Sequence, residues 1–176
     1  MMKWTMNNKI DQIIADYSET GTLKKETVSG SPDQIIERTL FKMQELALRD
    51  STAQMITKLT KQFKSCCKIK EAYNLVTEIV QYENDPRGME YVRAPIHCLQ
   101  ERKGDCDDMA TLYACLMKAM DIPVAFKAIA WRRYEFTHVY CLVFMKQLNK
   151  WVVADPVIKS FGKEKSGIIR DMILKV

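Results

Sequence analysis

The sequence predicts an α+β fold, on three observations. Apolar residues recur at helical spacing through the first half of the chain. A long apolar helix is expected from Cys106 to Met120. Beyond Pro123 the pattern changes to β-type runs separated by turn residues.

The elements follow in order. Trp4, Ile10, Ile13, Ile14 and Tyr17 mark a first helix that Gly21 should end, with a polar linker from Thr22 to Gly30. Ser31, Pro32 and Gln34 form a helix start: an N-cap, a proline at the first helical position, and a glutamine able to complete a capping box. Its apolar stripe is Ile35, Ile36, Leu40, Met43, Leu46 and Ala47. Asp50 and Ser51 are expected to cap another helix with Met55, Ile56, Leu59 and Phe63 inward. Tyr73, Val76, Ile79 and Val80 mark a further helix, and Asn84 to Gly88 reads as a turn. The segment Tyr91–Pro95 reads as extended. The Cys106–Met120 helix carries Met109, Leu112, Tyr113, Leu116 and Met120 inward and stops at Ile122-Pro123. The β-type runs are Val124–Trp131, His138–Met145 and Trp151–Asp155, the last two a hairpin closing near Lys146–Lys150. Gly162–Gly167 is a polar loop, and Ile168–Val176 packs as a last strand or helix. This divides the chain into a helical region, 1–80, and a core, 81–176, whose helices start near 70.

At 176 residues with 47% apolar content, the chain can bury a core without disulfide or metal staples. No stretch approaches the roughly 20 apolar residues that cross a bilayer, so no membrane partner is expected. The opening MMKWTMNNKIDQII lacks a continuous apolar stretch and a small-residue cleavage site, which predicts a cytoplasmic protein. The six cysteines are then free thiols. The set Cys66, Cys67, His97 and Cys98 is an irregular zinc ligand set and no CxxC occurs, so no metal is assigned. No cofactor is expected. Net charge is zero over residues 1–90 and +5 over 91–176. Lys58, Lys61, Lys64 and Lys68 fall on one face of an expected helix. No aromatic residue is interleaved to stack on bases, so this reads as a solvated face rather than a nucleic-acid site.

The chemistry concentrates at Cys106. Cysteine attacks as thiolate, and a helix N-terminus favours negative charge. Cys106 stands where the central helix begins, after Gly104 for a tight turn and Asp105 as N-cap. Asp107 and Asp108 oppose that thiolate to an extent set by where their side chains point. A histidine must take the proton and return it to the leaving group. His97 and His138 are the candidates; His138, opening a strand, is held more rigidly and is favoured. Asp155 ends the next strand, so the hairpin can bring it beside His138 to orient the imidazole.

Lys103-Gly104-Asp105-Cys106-Asp107-Asp108, Ala110, Leu112, Met120-Asp121-Ile122-Pro123, Thr137-His138-Val139-Tyr140 and Trp151-Val152-Val153-Ala154-Asp155-Pro156, in this order, resemble the transglutaminase-like (papain-like) superfamily core. The resemblance covers residues 91–156. It implies a nucleophile helix packed on a small antiparallel sheet and a Cys106–His138–Asp155 triad. It also suggests Gln100, six residues before the nucleophile, as an oxyanion donor beside the Cys106 N–H, with Trp131 and Trp151 along a substrate channel. Tyr82-Glu83-Asn84-Asp85-Pro86 and Glu90-Tyr91-Val92-Arg93-Ala94-Pro95 add a similarity to small transglutaminase-like proteins of tailed phages and prophages.

Two readings follow. The first is a thiol-dependent amide hydrolase or acyltransferase of the cysteine peptidase or isopeptidase kind, acting on a peptide or protein. Hydrolysis is favoured, because transfer needs an acceptor channel that the sequence does not display. The second is a non-catalytic phage virion or assembly protein in the same fold, with other virion proteins as partners and the host cytoplasm and virion as its places.

Overall fold

A computed structural model describes residues 2–17, 25–87, 89–133 and 135–176. The expected stop at Gly21, the linker's start at Thr22 and Gly88 of the turn lie outside these residues, as does the side chain of Trp4. Six α-helices are described: α1 Met2–Asp16, α2 Pro32–Ser51, α3 Gln54–Thr60, α4 Lys68–Ile79, α5 Pro95–Glu101 and α6 Cys106–Ala119. Four short strands lie among them: β1 Lys25–Val28, β2 Gln81–Tyr82, β3 Glu90–Arg93 and β4 Lys103–Gly104. After α6 come β5 Val124–Ala130, β6 His138–Met145, β7 Lys150–Asp155, β8 Ser160–Phe161 and β9 Arg170–Lys175.

The central element is α6. Met109 to Met117 are all buried, which marks a helix surrounded on every side. It packs against α2, α3, α4 and α5 on one side and β5 and β6 on the other. The α2 residues Leu40, Met43, Leu46 and Ala47 form the stripe that meets it. The start of α2 is as expected: Pro32 opens the helix, and the Ser31 N–H donates to Gln34 Oε1 at 3.1 Å. The end of α6 is equally local. Asp121 adopts a left-handed φ of 54°, and the Ile122 N–H returns to the Met117 carbonyl at 3.0 Å.

The five-stranded sheet runs β8-β7-β6-β5-β9, with every neighbouring pair antiparallel. Alternation assigns its faces. Phe126, Ala128, Val139, Cys141, Val143 and Ala154 belong to the core shared with α6. The Cys141 thiol donates to the Ala110 carbonyl at 3.2 Å, tying sheet to helix. His138 and Tyr140 alternate to the other face.

Several local expectations are corrected. Asp50 and Ser51 do not cap α3, because α2 runs through both and Ala53 is the N-cap. Asp50 is instead buried, bonded to Arg49 and accepting the Ile96 N–H. Lys25–Val28 of the expected linker is a strand, paired with β3 from Lys25↔Arg93 to Val28↔Glu90. The extended segment ends at Arg93, and Pro95 opens α5. The lysine face does not exist as one helix face. Since α3 ends at Thr60 and α4 starts at Lys68, Lys61 and Lys64 lie in the connection. Ile168–Val176 contributes a strand, β9.

Candidate active site

Cys106 is the first residue of α6, and β4 delivers it there. β4 pairs in parallel with β2, setting Tyr82 beside Gly104. Gly104 is needed for space rather than for an unusual turn. A Cβ at this position would stand 2.6 Å from Asp108 Cβ and 2.9 Å from Asp108 Oδ2. That close approach lets the Asp105 N–H reach Asp108 Oδ2 at 3.3 Å, half of a capping box that fixes the first turn.

Asp108 is fully buried and would be untenable as a lone charge. Arg93 on β3, itself buried, answers it twice: the backbone N–H donates to Oδ1 at 2.6 Å, and the guanidinium Nη1 pairs with Oδ2. The same guanidinium stands 3.6 Å from Asp85 and 3.6 Å from Glu101. Even so, burial and the neighbouring Asp105 push Asp108 up to about 6 against the pull of Arg93. Burial, and next the Asp105 side chain, raise the Asp107 carboxyl well above the ordinary carboxylate value. Glu90 is raised to about 7 by burial, then by Asp105 and Asp85. Asp105, Asp107 and Asp108 bring carboxylate oxygens within 4.8 Å of one another, a donor set that suits a hard cation. The Arg93 guanidinium already supplies positive charge to one of the three.

The surroundings of the Cys106 sulfur differ from the sequence expectation. Burial, with Asp105 next, pushes the thiol up to about 12; a hydrogen bond from the Val139 backbone pulls the other way. Glu90 and Asp108 add to the rise. In this arrangement Cys106 rests as a neutral thiol. The helix N-terminus favours a thiolate, but burial, with the acidic groups Asp105, Glu90 and Asp108 adding to it, outweighs that effect.

Val139, whose backbone lowers the Cys106 thiol, directly follows His138 in β6. His138 Nε2 lies 2.6 Å from Asp155 Oδ2, and both residues are buried. The register explains this meeting. Cys141 opposes Ala154, so Asp155 falls across from Tyr140 and on the diagonal to His138, within side-chain reach. Asp155 is itself held: Oδ1 accepts the N–H groups of Val157 at 3.1 Å and Ile158 at 3.4 Å, and its carbonyl accepts the Tyr73 hydroxyl at 3.0 Å. The Trp131 ring stacks on the imidazole, 6.1 Å between centroids at 18°, while its Nε1 donates to the Ser166 carbonyl at 3.1 Å. With Nε2 facing the carboxylate, Nδ1 is the ring nitrogen left for a further partner.

The remaining expected site residues are elsewhere. Gln100 Nε2 donates to the Tyr17 carbonyl at 2.9 Å, just beyond α1. Trp151 lies four residues from Asp155, about 13 Å along the strand, edge-on to Phe144 near the hairpin turn. It does not border the His138–Asp155 pair. His97 lies on α5, paired with Glu101 at 2.9 Å. Sequence reasoning missed Arg93, Tyr73 and Glu90 as parts of the site. Arg93 could have been inferred, because two carboxylates after the cysteine in a buried helix require a cation.

With this geometry in view, comparison with known proteins assigns the family. Residues 50–156 match the model of the transglutaminase-like superfamily, and the chain belongs to it. A 69-residue segment is 34% identical to the peptide-N(4)-(N-acetyl-beta-glucosaminyl)asparagine amidase of Saccharomyces cerevisiae. That match spans 39% of this chain and 18% of the amidase. Among solved structures, a protein of Cytophaga hutchinsonii described provisionally as a cysteine protease is similar, at 16% identity and TM-score 0.42. The similarity covers 82% of this chain and 48% of that one. Calcium-bound LapG of Legionella pneumophila matches at 16% identity and TM-score 0.46, over 73% of this chain and 80% of that one.

Proposed function

We propose that the chain is a thiol-dependent amide hydrolase with Cys106 as nucleophile, His138 as general base and acid, and Asp155 as the residue that orients the imidazole. The observation that carries this reading is the buried His138–Asp155 pair at 2.6 Å. Because the thiol rests neutral, His138 Nδ1 takes its proton as the sulfur attacks the amide carbon. The resulting oxyanion is met by the Cys106 backbone N–H, one of the unpaired donors of the first turn of α6. The imidazolium then protonates the leaving amine, and water activated by the neutral imidazole cleaves the thioester. Asp155 stabilises the charge on the ring throughout. The substrate is a peptide or protein amide, in keeping with the amidase relative, and water rather than a second amine is the acceptor. The protein works in the cytoplasm.

A second reading rests on the same thiol. A cysteine pushed up to about 12 is inert unless a base acts on it. Without that assistance the fold would serve as a binding or assembly module, in a virion as the phage-type motifs imply. An activated ester separates the two. With p-nitrophenyl acetate, the first reading expects an acetyl adduct on Cys106 by peptide mass and a burst of nitrophenolate that Cys106→Ala removes. No adduct, or a burst that survives in Cys106→Ala, would favour the module.

A further inference from the structure

Away from the active site, the connection between α3 and α4 holds two adjacent cysteines. Cys66 is exposed and Cys67 half-buried, and both are reduced. The Cys66 thiol donates to the Cys67 sulfur at 3.5 Å, and the Cys67 thiol donates to Glu71 Oε1 at 3.4 Å. Cys67 is also the N-cap of α4. Its carbonyl accepts the N–H groups of Lys70 and Glu71, both at 2.9 Å. Glu71 Oε2 accepts the Lys64 N–H at 2.6 Å, which closes the connection onto the helix start.

We propose that Cys66 and Cys67 are a vicinal dithiol that small-molecule disulfides of the glutathione type oxidise to an intrachain disulfide, loosening the first turn of α4. The balance is that of thiol–disulfide exchange. The Cys66 sulfur, as the exposed member, attacks one sulfur of the small disulfide. The S–S bond breaks, a mixed disulfide forms on Cys66, and one small thiol leaves. The Cys67 sulfur, already in contact, attacks the Cys66 sulfur and expels the second small thiol. Two cysteine thiols are oxidised, one small disulfide is reduced, and both protons end on the released thiols. Cys67 is suited to this second step rather than the first, since its contact with Cys66, its burial and Glu71 hold it up at about 11.

The bond has structural consequences. The sulfurs must close to about 2.05 Å, which draws Cys67 away from Glu71. Adjacent Cα atoms stand about 3.8 Å apart, below the roughly 4.4–6.8 Å common in disulfides. The ring is therefore strained and readily reduced, as suits a reversible modification rather than a staple. The strain falls on the Cys67 backbone, where the first two hydrogen bonds of α4 begin.

The test is to equilibrate the full chain in glutathione buffers of increasing oxidation, quench with an alkylating agent, and map peptides by mass. The expected product has lost two hydrogens, leaves neither Cys66 nor Cys67 alkylated, and reverts with dithiothreitol. Cys66→Ser and Cys67→Ser each abolish it, whereas Cys106→Ser retains it. Hydrogen exchange of the same sample should show loss of protection at Lys70 and Glu71. The proposal is overturned if both thiols stay alkylatable across the series, if the disulfide joins two chains, or if the oxidised chain keeps its protection at those amides.

Discussion

The two sides of the candidate site are built on opposite electrostatic plans. On the helix side, Asp105, Asp107, Asp108 and Glu90 crowd the first turn of α6, and Arg93 is the cation set among them. On the sheet side, His138 and Asp155 form a single matched pair between Trp131, Tyr140 and the hydroxyl of Tyr73. The helix side raises the thiol and keeps it protonated; the sheet side holds a base in fixed orientation. In the reading proposed above, activation of Cys106 comes from proton transfer across the junction between the two, with the helix terminus in a lesser part.

Breaking the sheet side should have the largest effect. Asp155→Asn is expected to reduce acyl-enzyme formation by on the order of 10⁴-fold, and His138→Ala by about 10⁶-fold, measured as the burst rate with the activated ester. Breaking the helix side should act on stability. Arg93→Met leaves Asp108 buried and unpaired, at about 3–5 kcal/mol, seen as a lowered urea midpoint. Gly104→Ala presses a methyl group into Asp108 and should cost about 1–3 kcal/mol by the same assay, because the added carbon would stand 2.6 Å from Asp108 Cβ.

The smallest effect is a pH signature that only the acidic side should show. Glu90 is raised to about 7 in the fold from an ordinary value of 4.5. Its stabilising contribution is complete below the unfolded value and is lost as pH rises through about 7, where it must ionise beside Asp105. Glu90→Gln should therefore match the parent near pH 4 and become relatively more stable between about pH 4.5 and 7. Urea titrations across that range check the sign, and a constant difference would remove Glu90 from the cluster.

What the sequence disclosed divides along similar lines. The Ser31 capping box, the stop at Asp121 to Pro123 and the β-type runs are local signals, and each is found where its residues place it. The elements missed are short and stabilised from a distance. β1 pairs with a strand more than sixty residues later, and β2 and β4 are two residues each. The lysine stripe misled because periodicity continues through a connection that interrupts the helix. At the candidate site, the meeting of His138 and Asp155 was legible from their order along the hairpin. Their surroundings were not, because Arg93–Asp108 and Tyr73–Asp155 are contacts that sequence spacing does not reveal. The expected low pKa of Cys106 failed for the same reason. The helix end is written in the sequence around Cys106, whereas burial and the approach of Glu90 come from the fold.

The central claim, that His138 is the proton acceptor for Cys106, is tested most directly by the rate of Cys106 alkylation against pH in the parent and in His138→Ala. The parent should react with iodoacetamide well below the pH of about 8.5 at which an ordinary cysteine ionises, and the variant should lose that arm. Equal profiles for the two proteins would contradict the account and leave Cys106 a half-buried thiol without a base.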